Sequence, residues 1–140
     1  MKRCTVLLAL LAACGGSADP AALTDEGSAA LNSSQYEDAR ASFEKALALM
    51  QPDDPSYLRA KMGAIEAQIY LDAEGAKTEF LDLAASSSAV GERDYRKVCS
   101  QMASAKKFEQ AIDVLHAGIE KYGETDELTR RVEVLEARKA

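Results

Sequence analysis

The chain has 140 residues, of which 47% are hydrophobic and 29% are charged, and its formal net charge is −6. This length allows one domain, and the absence of tryptophan together with only three prolines favours helices over sheet. The net charge becomes more negative if Lys2 and Arg3 are removed with an export signal. Such a surface repels nucleic acid and anionic lipid, so we expect no nucleic-acid partner.

Residues 1–13 have the composition of an export signal, with a basic start followed by a short apolar run. The run over residues 6–13 is far shorter than the roughly 20 apolar residues that span a bilayer. Its last residues and the next cysteine, LAAC, resemble the bacterial lipobox, in which the cysteine thiol takes the lipid. We therefore predict a lipoprotein signal peptide over residues 1–13, lipidation of Cys14 and a flexible tether over residues 14–19. The alternative is an ordinary signal peptide in which Cys14 plays no part.

The residue after the cysteine indicates where such a lipoprotein is held. Several acyl chains on one residue anchor a protein stably to a membrane surface. Inner-membrane lipoproteins of Gram-negative bacteria often carry Asp at the next position, whereas this chain has Gly15. By this resemblance, we expect a lipid-anchored protein of the bacterial cell envelope, on the periplasmic face of the outer membrane.

A periodic body follows the tether. Asp19 and Pro20 predict a helix start, with an N-cap followed by proline at the first helical position. Three sets of residues recur at a spacing of 36: Gly27, Gly63 and Cys99; Leu23, Arg59 and Tyr95; and Leu31, Ala67 and Ala103. A period in this range predicts stacked helical hairpins.

The first predicted hairpin runs from Pro20 to about Met50, with a break over residues 32–35. Ser34 and Glu37 have the spacing of a capping box, which predicts a second helix starting at that point. The second hairpin is predicted to open at Asp54-Pro55, by the same combination of cap and proline that opens the first.

The second hairpin is predicted to turn near Asp72 and to end near Ser86. The third is predicted over residues 92–122, with its turn near Lys106 and with Gly123 as the C-cap. A last helix is predicted from Thr125 to about residue 139, and its charged outer face is typical of a terminal capping helix.

The second helix of each unit carries the most regular pattern. The matching residues are Tyr36, Ala39, Phe43 and Ala46 in the first unit, and Phe108, Ala111, Leu115 and Gly118 in the third. In the second unit, a shift of one residue brings Ala76 and Phe80 into the same positions. The pattern resembles the tetratricopeptide repeat (TPR) family, whose units have an aromatic-x-x-Ala start to the second helix. The resemblance implies, over residues 20–140, an all-α, right-handed solenoid of about three α-hairpins plus a C-terminal capping helix.

Basic residues gather on the first helix of the second and third units. They are Arg59, Lys61, Arg93, Arg96 and Lys97. In the TPR family this helix lines a concave groove, and some members hold a peptide's terminal carboxylate with basic residues there. Arg93 and Lys97 match such positions of a third repeat, whereas Thr24 and Ser28 depart from the pattern in the first. The alternative is that these are ordinary surface charges paired with Glu66, Glu92 or Asp94.

Two further residues, Cys99 and His116, are candidates for catalysis or metal binding. Cys99 is the only cysteine left once Cys4 and Cys14 are accounted for, so no internal disulfide is available. It occupies the small-residue position of the repeat, which predicts a buried thiol. The alternative is a thiolate nucleophile paired with His116. A single histidine without paired cysteines cannot form a zinc site, and we predict no metal and no cofactor.

These observations predict a non-catalytic protein-interaction module that binds a partner protein or peptide near the membrane, with no evident small-molecule substrate. Two alternatives stay open. One is a structural envelope lipoprotein that self-associates. The other is an enzyme, or an accessory protein, that uses Cys99 and His116.

Overall fold

The computed structural model describes residues 18–140, which form seven α-helices and no strand among themselves. The helices are α1 (Pro20–Asn32), α2 (Tyr36–Ala48), α3 (Tyr57–Leu71), α4 (Ala73–Ser86), α5 (Glu92–Ser104), α6 (Phe108–Tyr122) and α7 (Asp126–Lys139). The prediction of an all-α fold is confirmed. The predicted signal peptide over residues 1–13 and the lipidation site Cys14 lie outside the described residues.

Three predicted helix boundaries have the expected capping features. The carboxylate of Asp19 accepts a hydrogen bond from the N–H of Ala21 at 3.0 Å, and proline is the first residue of α1. The hydroxyl of Thr125 accepts a bond from the N–H of Leu128 at 3.3 Å, which starts α7. Helix α6 ends at Tyr122, and its C-cap is Gly123 as predicted, with a φ of 88° in the region that favours glycine.

The predicted capping box of Ser34 and Glu37 is wrong. Ser34 has a φ of 58°, and the N-cap of α2 is Gln35, whose side chain makes no capping bond. The N–H of Gln35 donates instead to the carbonyl oxygen of Ala30 at 2.9 Å. This is the bond of a Schellman ending, so Ser34 serves the end of α1 and is turned away from the start of α2.

The predicted start of the second hairpin at Asp54-Pro55 is also wrong by two residues, because α3 begins at Tyr57. The carboxylate of Asp54 accepts a hydrogen bond from the N–H of Ser56 at 2.8 Å. The aspartate therefore closes a local turn over the proline instead of capping the first turn of the helix.

The turn of the second hairpin consists of the single residue Asp72, between α3 and α4. Its carboxylate accepts a hydrogen bond from the N–H of Gly75 at 3.1 Å and so caps α4. Ala76 and Phe80 are fully buried. The one-residue shift expected for this unit is therefore confirmed.

The core consists of two clusters, and α3 contributes a different face to each. Its alanines 60, 64 and 67 join the cluster around Phe43 of α2, whereas Met62, Ile65 and Ile69 join a larger cluster that extends to α7. Side chains on successive turns of a helix share a face, so this division follows from the spacing of the two sets.

Most helices pack against their neighbours in the chain, but α4 and α5 have almost no contact with each other. Neighbours in the chain pack as α1 with α2, α2 with α3, α3 with α4, α5 with α6 and α6 with α7. Helices two positions apart also meet, namely α1 with α3, α3 with α5 and α4 with α6. The odd-numbered helices thus form one connected row from α1 to α5, and α7 extends the end of the molecule beside α5 and α6.

Candidate functional site

Two of the predicted site residues, Arg93 and Lys97, are exposed on α5 and lie one turn apart. Within residues 18–140 neither makes an ion pair or a side-chain hydrogen bond. Ser100 and Ser104 continue the same stripe of the helix, because residues at intervals of four and three share a face. The stripe is about 16 Å long at a rise of about 1.5 Å per residue.

The two predicted site residues of α3, Arg59 and Lys61, are both in ion pairs. The guanidinium of Arg59 lies 2.9 Å from the carboxylate of Asp25 on α1, and both side chains are exposed. The ammonium of Lys61 lies 2.6 Å from the carboxylate of Glu79 on α4. Residues two apart point about 200° apart around a helix. The structure therefore does not bring Lys61 to the same surface as Arg59.

Lys61 belongs to an ion-pair network at the junction of α2, α3 and α4. The carboxylate of Glu79 is also 2.8 Å from the guanidinium of Arg40, which bonds Glu44 in turn. Burial would raise the pKa of Glu79, but hydrogen bonds from the two cations outweigh it and lower that pKa. This role is structural, because all of the charges at the network are paired.

Arg96 is half-buried, and its guanidinium lies 3.5 Å from the carboxylate of Glu92. Of the three acidic partners expected if these are ordinary surface charges, only Glu92 takes part in an ion pair within the described part of the chain. Asp94 accepts a hydrogen bond from the N–H of Gly91 at 2.9 Å and so caps its own helix.

A pocket of about 380 Å³ lies between α5 and α7, and it was not predicted from the sequence. Its lining residues are Cys99, Ser100, Ala103 and Ser104 of α5, and Glu127, Arg130, Arg131, Val134, Leu135 and Arg138 of α7. On α7 the polar members recur at intervals of three, four and seven residues, so they form a stripe that faces α5 across the pocket. That spacing of arginines was the available sequence signal.

The α7 wall carries three arginines and one acidic residue. Arg131 donates from Nε to the carboxylate of Glu127 at 2.8 Å and from a terminal nitrogen to the hydroxyl of Ser100 at 3.2 Å. The hydrogen bond from Arg131 lowers the pKa of Glu127. The guanidinium of Arg130 is 3.7 Å from the same carboxylate, and Arg138 has no ion pair within residues 18–140. The wall therefore keeps a net positive charge of two.

Comparisons with protein-family models, curated protein sequences and solved structures found no match to this chain. Over the residues that the structure describes, no group of three or more metal-ligating side chains comes together. In the same range, no helix is long and apolar enough to cross a membrane.

The floor of the pocket is apolar. Cys99 and Leu135 are buried, Ala103 is half-buried, and Val134 at the rim is 46% exposed. A ligand in this pocket would meet guanidinium groups on one side and aliphatic surface beneath them. That combination suits an anion attached to a small apolar group.

Cys99 is buried as predicted, with 2% of its surface exposed. Burial raises the pKa of its thiol to about 11, so the thiol stays protonated at neutral pH. His116 is exposed on α6 and does not line the pocket. The structure does not bring the two residues together around this pocket.

A second pocket, of about 370 Å³, lies between α1 and α2. Its charged lining residues are Glu26, Asp38 and Lys45, so acidic and basic groups are mixed there. The excess of a single negative charge and one buried hydroxyl, that of Ser42, do not indicate a class of ligand.

Proposed function

We propose that this protein is a non-catalytic interaction module of TPR-like architecture that binds an acidic segment of a partner protein. In this proposal the module is held at a bacterial envelope membrane, at the outer membrane if the organism is Gram-negative, by lipid on Cys14. The observation that carries the binding proposal is the pair of exposed cations Arg93 and Lys97, which have no partner within residues 18–140, in a chain whose net charge is −6.

The helix contacts support a TPR-like stacking of hairpins. Helices α1, α3 and α5 meet in a row, and α4 meets α6 in a second row. Small residues lie where helices come close: Gly27 and Gly63 face the ring of Phe43, and Gly118 faces Tyr95. This is the packing expected when neighbouring hairpins bury each other's apolar stripes.

The exposed stripe of α5 supports the choice of an acidic segment. Two cations one turn apart can each donate charge-assisted hydrogen bonds to carboxylates of a bound segment. The serines continue the stripe toward α7, where the guanidinium of Arg131 lies 3.2 Å from the hydroxyl of Ser100 and adds a further cation. Neutral or basic segments gain none of these interactions.

Selection from a displayed peptide library tests the proposal, because it samples many candidate segments at once. We expect the protein to enrich peptides that contain several Asp or Glu residues, and the enrichment to weaken as salt is raised. The variant Arg93→Glu/Lys97→Glu should lose this enrichment. The matched control is Lys106→Glu/Lys107→Glu, which reverses two exposed charges at the turn between α5 and α6. Equal enrichment by the protein and both variants would show that the α5 stripe is not the binding surface.

A further inference from the structure

The pocket between α5 and α7 adjoins the stripe of Arg93 and Lys97, because Ser100 and Ser104 belong to both, but neither Arg93 nor Lys97 lines the pocket. Its positive charge comes from the capping helix, a part of the fold whose only evident task is to shield the core. Arg131 reaches across to α5, and Arg130 and Arg138 lie exposed at the rim of the pocket. Three arginines therefore converge on one opening that has an apolar floor.

We propose that this pocket is an anion-binding site for a carboxylate carried on a short apolar group. The carboxylate would be held by Arg130 and Arg138, whose planar forks match its geometry. The apolar group would lie against Val134 and Leu135. This site goes beyond the proposed function, which concerns an acidic segment on the α5 stripe. The ligand chemistry that the pocket would recognise is shared by a small carboxylic acid and by the end of a peptide chain.

The hydrogen bonds of Arg131 support the choice of Arg130 and Arg138 as the ligand-binding residues, because Arg131 already bonds groups of the protein. Its bonds to Glu127 and Ser100 join the two helices across the pocket at 2.8 Å and 3.2 Å. The pairing neutralises the one acidic group of the wall. Of the two remaining arginines, Arg138 has no ion pair within residues 18–140. Arg130, with 75% of its side chain accessible, makes only an exposed pair of 3.7 Å with Glu127, and such pairs contribute little.

The composition of the pocket favours a carboxylate over a phosphate. Charge alone does not give this preference, because a wall with a net charge of two attracts a dianion more strongly than a monoanion. The preference comes from the apolar surface of the pocket. The apolar floor offers nothing to the extra oxygens of a phosphate. A volume of about 380 Å³ is near the lower end of the roughly 300–1,000 Å³ typical of small-ligand sites, which suits a group of one residue.

The probe is N-acetyl-leucine, with N-acetyl-leucinamide as its neutral match and inorganic phosphate as the purely ionic comparison. Amide chemical shifts of the full chain, solubilised in a non-ionic detergent, report the binding. We expect N-acetyl-leucine to shift signals of residues 99–104 and 127–138 in a saturable way. The amide and phosphate should each bind at least about tenfold more weakly, since each lacks one of the two interactions.

The variant Arg130→Gln/Arg138→Gln should weaken binding of N-acetyl-leucine by about tenfold or more. Both side chains are exposed, so the fold should be kept, and circular dichroism checks this. The control Lys106→Gln/Lys107→Gln removes the same charge from the same half of the molecule and should leave binding unchanged. An equal loss in both variants would mean a general charge effect, and binding of the amide as tight as that of the acid would mean an apolar pocket; either overturns the proposal.

A last comparison separates the pocket from the proposed peptide surface. A short acidic peptide ending in leucine should bind more tightly than N-acetyl-leucine if the two surfaces are used together. Reversal of Arg93 and Lys97 should then affect the peptide but leave N-acetyl-leucine unaffected. If N-acetyl-leucine fails to bind at tens of millimolar while acidic peptides are still enriched, the pocket proposal is wrong and the proposed function stands.

Discussion

Replacement of Gly63 by alanine should destabilise the fold, because this glycine lies where α3 crosses the ring of Phe43. A Cβ added at position 63 would lie within 2.8 Å of three ring carbons, and one added at Gly27 would be 3.0 Å from three ring carbons. The ring is 2% exposed and belongs to the cluster shared by α2 and α3, so moving it disturbs other buried residues. Gly63→Ala therefore has to displace either the ring or a helix.

Two opposing effects set the magnitude. Overpacking a core costs about 1–3 kcal/mol, whereas alanine is favoured over glycine inside a helix by about 1 kcal/mol. The approach at position 63 is shorter than real Cβ contacts, so the upper end of the cost applies. We expect Gly63→Ala to lower the free energy of unfolding by about 2 kcal/mol. At Gly27 the two effects come close to cancelling, and the change should stay within about 1 kcal/mol.

Urea denaturation followed by far-UV circular dichroism measures these differences. Ala41→Gly, at an exposed position of α2, gives the helix-propensity effect in this chain and should cost about 1 kcal/mol. A less bulky ring partner, as in Phe43→Leu, should remove the penalty of Gly63→Ala in a double-mutant cycle. If Gly63→Ala raises stability by about 1 kcal/mol instead, the close crossing of α3 and the ring is refuted.

Three further outcomes are expected. Cys99 should react with a thiol reagent at neutral pH only as fast as the protein unfolds, because its thiol is buried and burial raises the pKa of that thiol to about 11. Stoichiometric labelling within the mixing time would contradict this. Glu79 should stabilise the fold above its ordinary pKa of 4.5, and this contribution should be lost as pH falls through its lowered pKa. In urea titrations at several pH values, Glu79→Gln should be less stable at neutral pH and should lose less of its stability as the pH falls. An unchanged dependence of stability on acid pH would refute the ion-pair network. The chain expressed with its own leader in a bacterial host should lose residues 1–13 and gain acyl chains by intact mass, and Cys14→Ser should abolish both changes; a soluble product without lipid would remove the proposed anchor.

The helix pattern was predictable because it depends on local rules. The cap and proline at Asp19-Pro20, the turn at Asp72 and the glycine at 123 each involve residues within one helical turn of one another. The degenerate second unit was predictable too, because a shift of one residue restores the spacing of Ala76 and Phe80. Periodicity of small and aromatic residues therefore carries most of the information about where these helices begin and what they bury.

The failures have an equally local cause. Ser34 could cap α2 or end α1, and the sequence pattern alone does not distinguish the two. The left-handed conformation at Ser34 and the bond from Gln35 to Ala30 decide in favour of the ending. The third unit uses the same geometry, with Lys106 at a φ of 60° and a bond from Lys107 to Met102 at 2.8 Å. Since neither position is glycine, composition gave no sign of this turn.

The candidate site was less predictable, because it depends on which faces of separate helices meet. The basic residues of α3 looked equivalent in the sequence, but Asp25 and Glu79 pair them on different sides of the helix. The pocket joins residues about thirty positions apart, such as Ser100 and Arg131. Spacing within one helix indicates a stripe, but the partner of that stripe is fixed only by the packing of the whole chain.

The uneven distribution of charge along the chain affects how an acidic ligand would approach both proposed surfaces. Residues 18–91 contain 13 acidic and 5 basic residues, whereas residues 92–140 contain 10 of each. Five of the seven arginines in the described range lie in α5 and α7. An acidic ligand is therefore repelled by the first half of the molecule but not by the second, which carries no net charge, and this difference favours one orientation of approach. If this field matters, the association rate of an acidic peptide should rise as salt screens the repulsion by the first half. A salt dependence confined to dissociation would show that only the local contacts contribute.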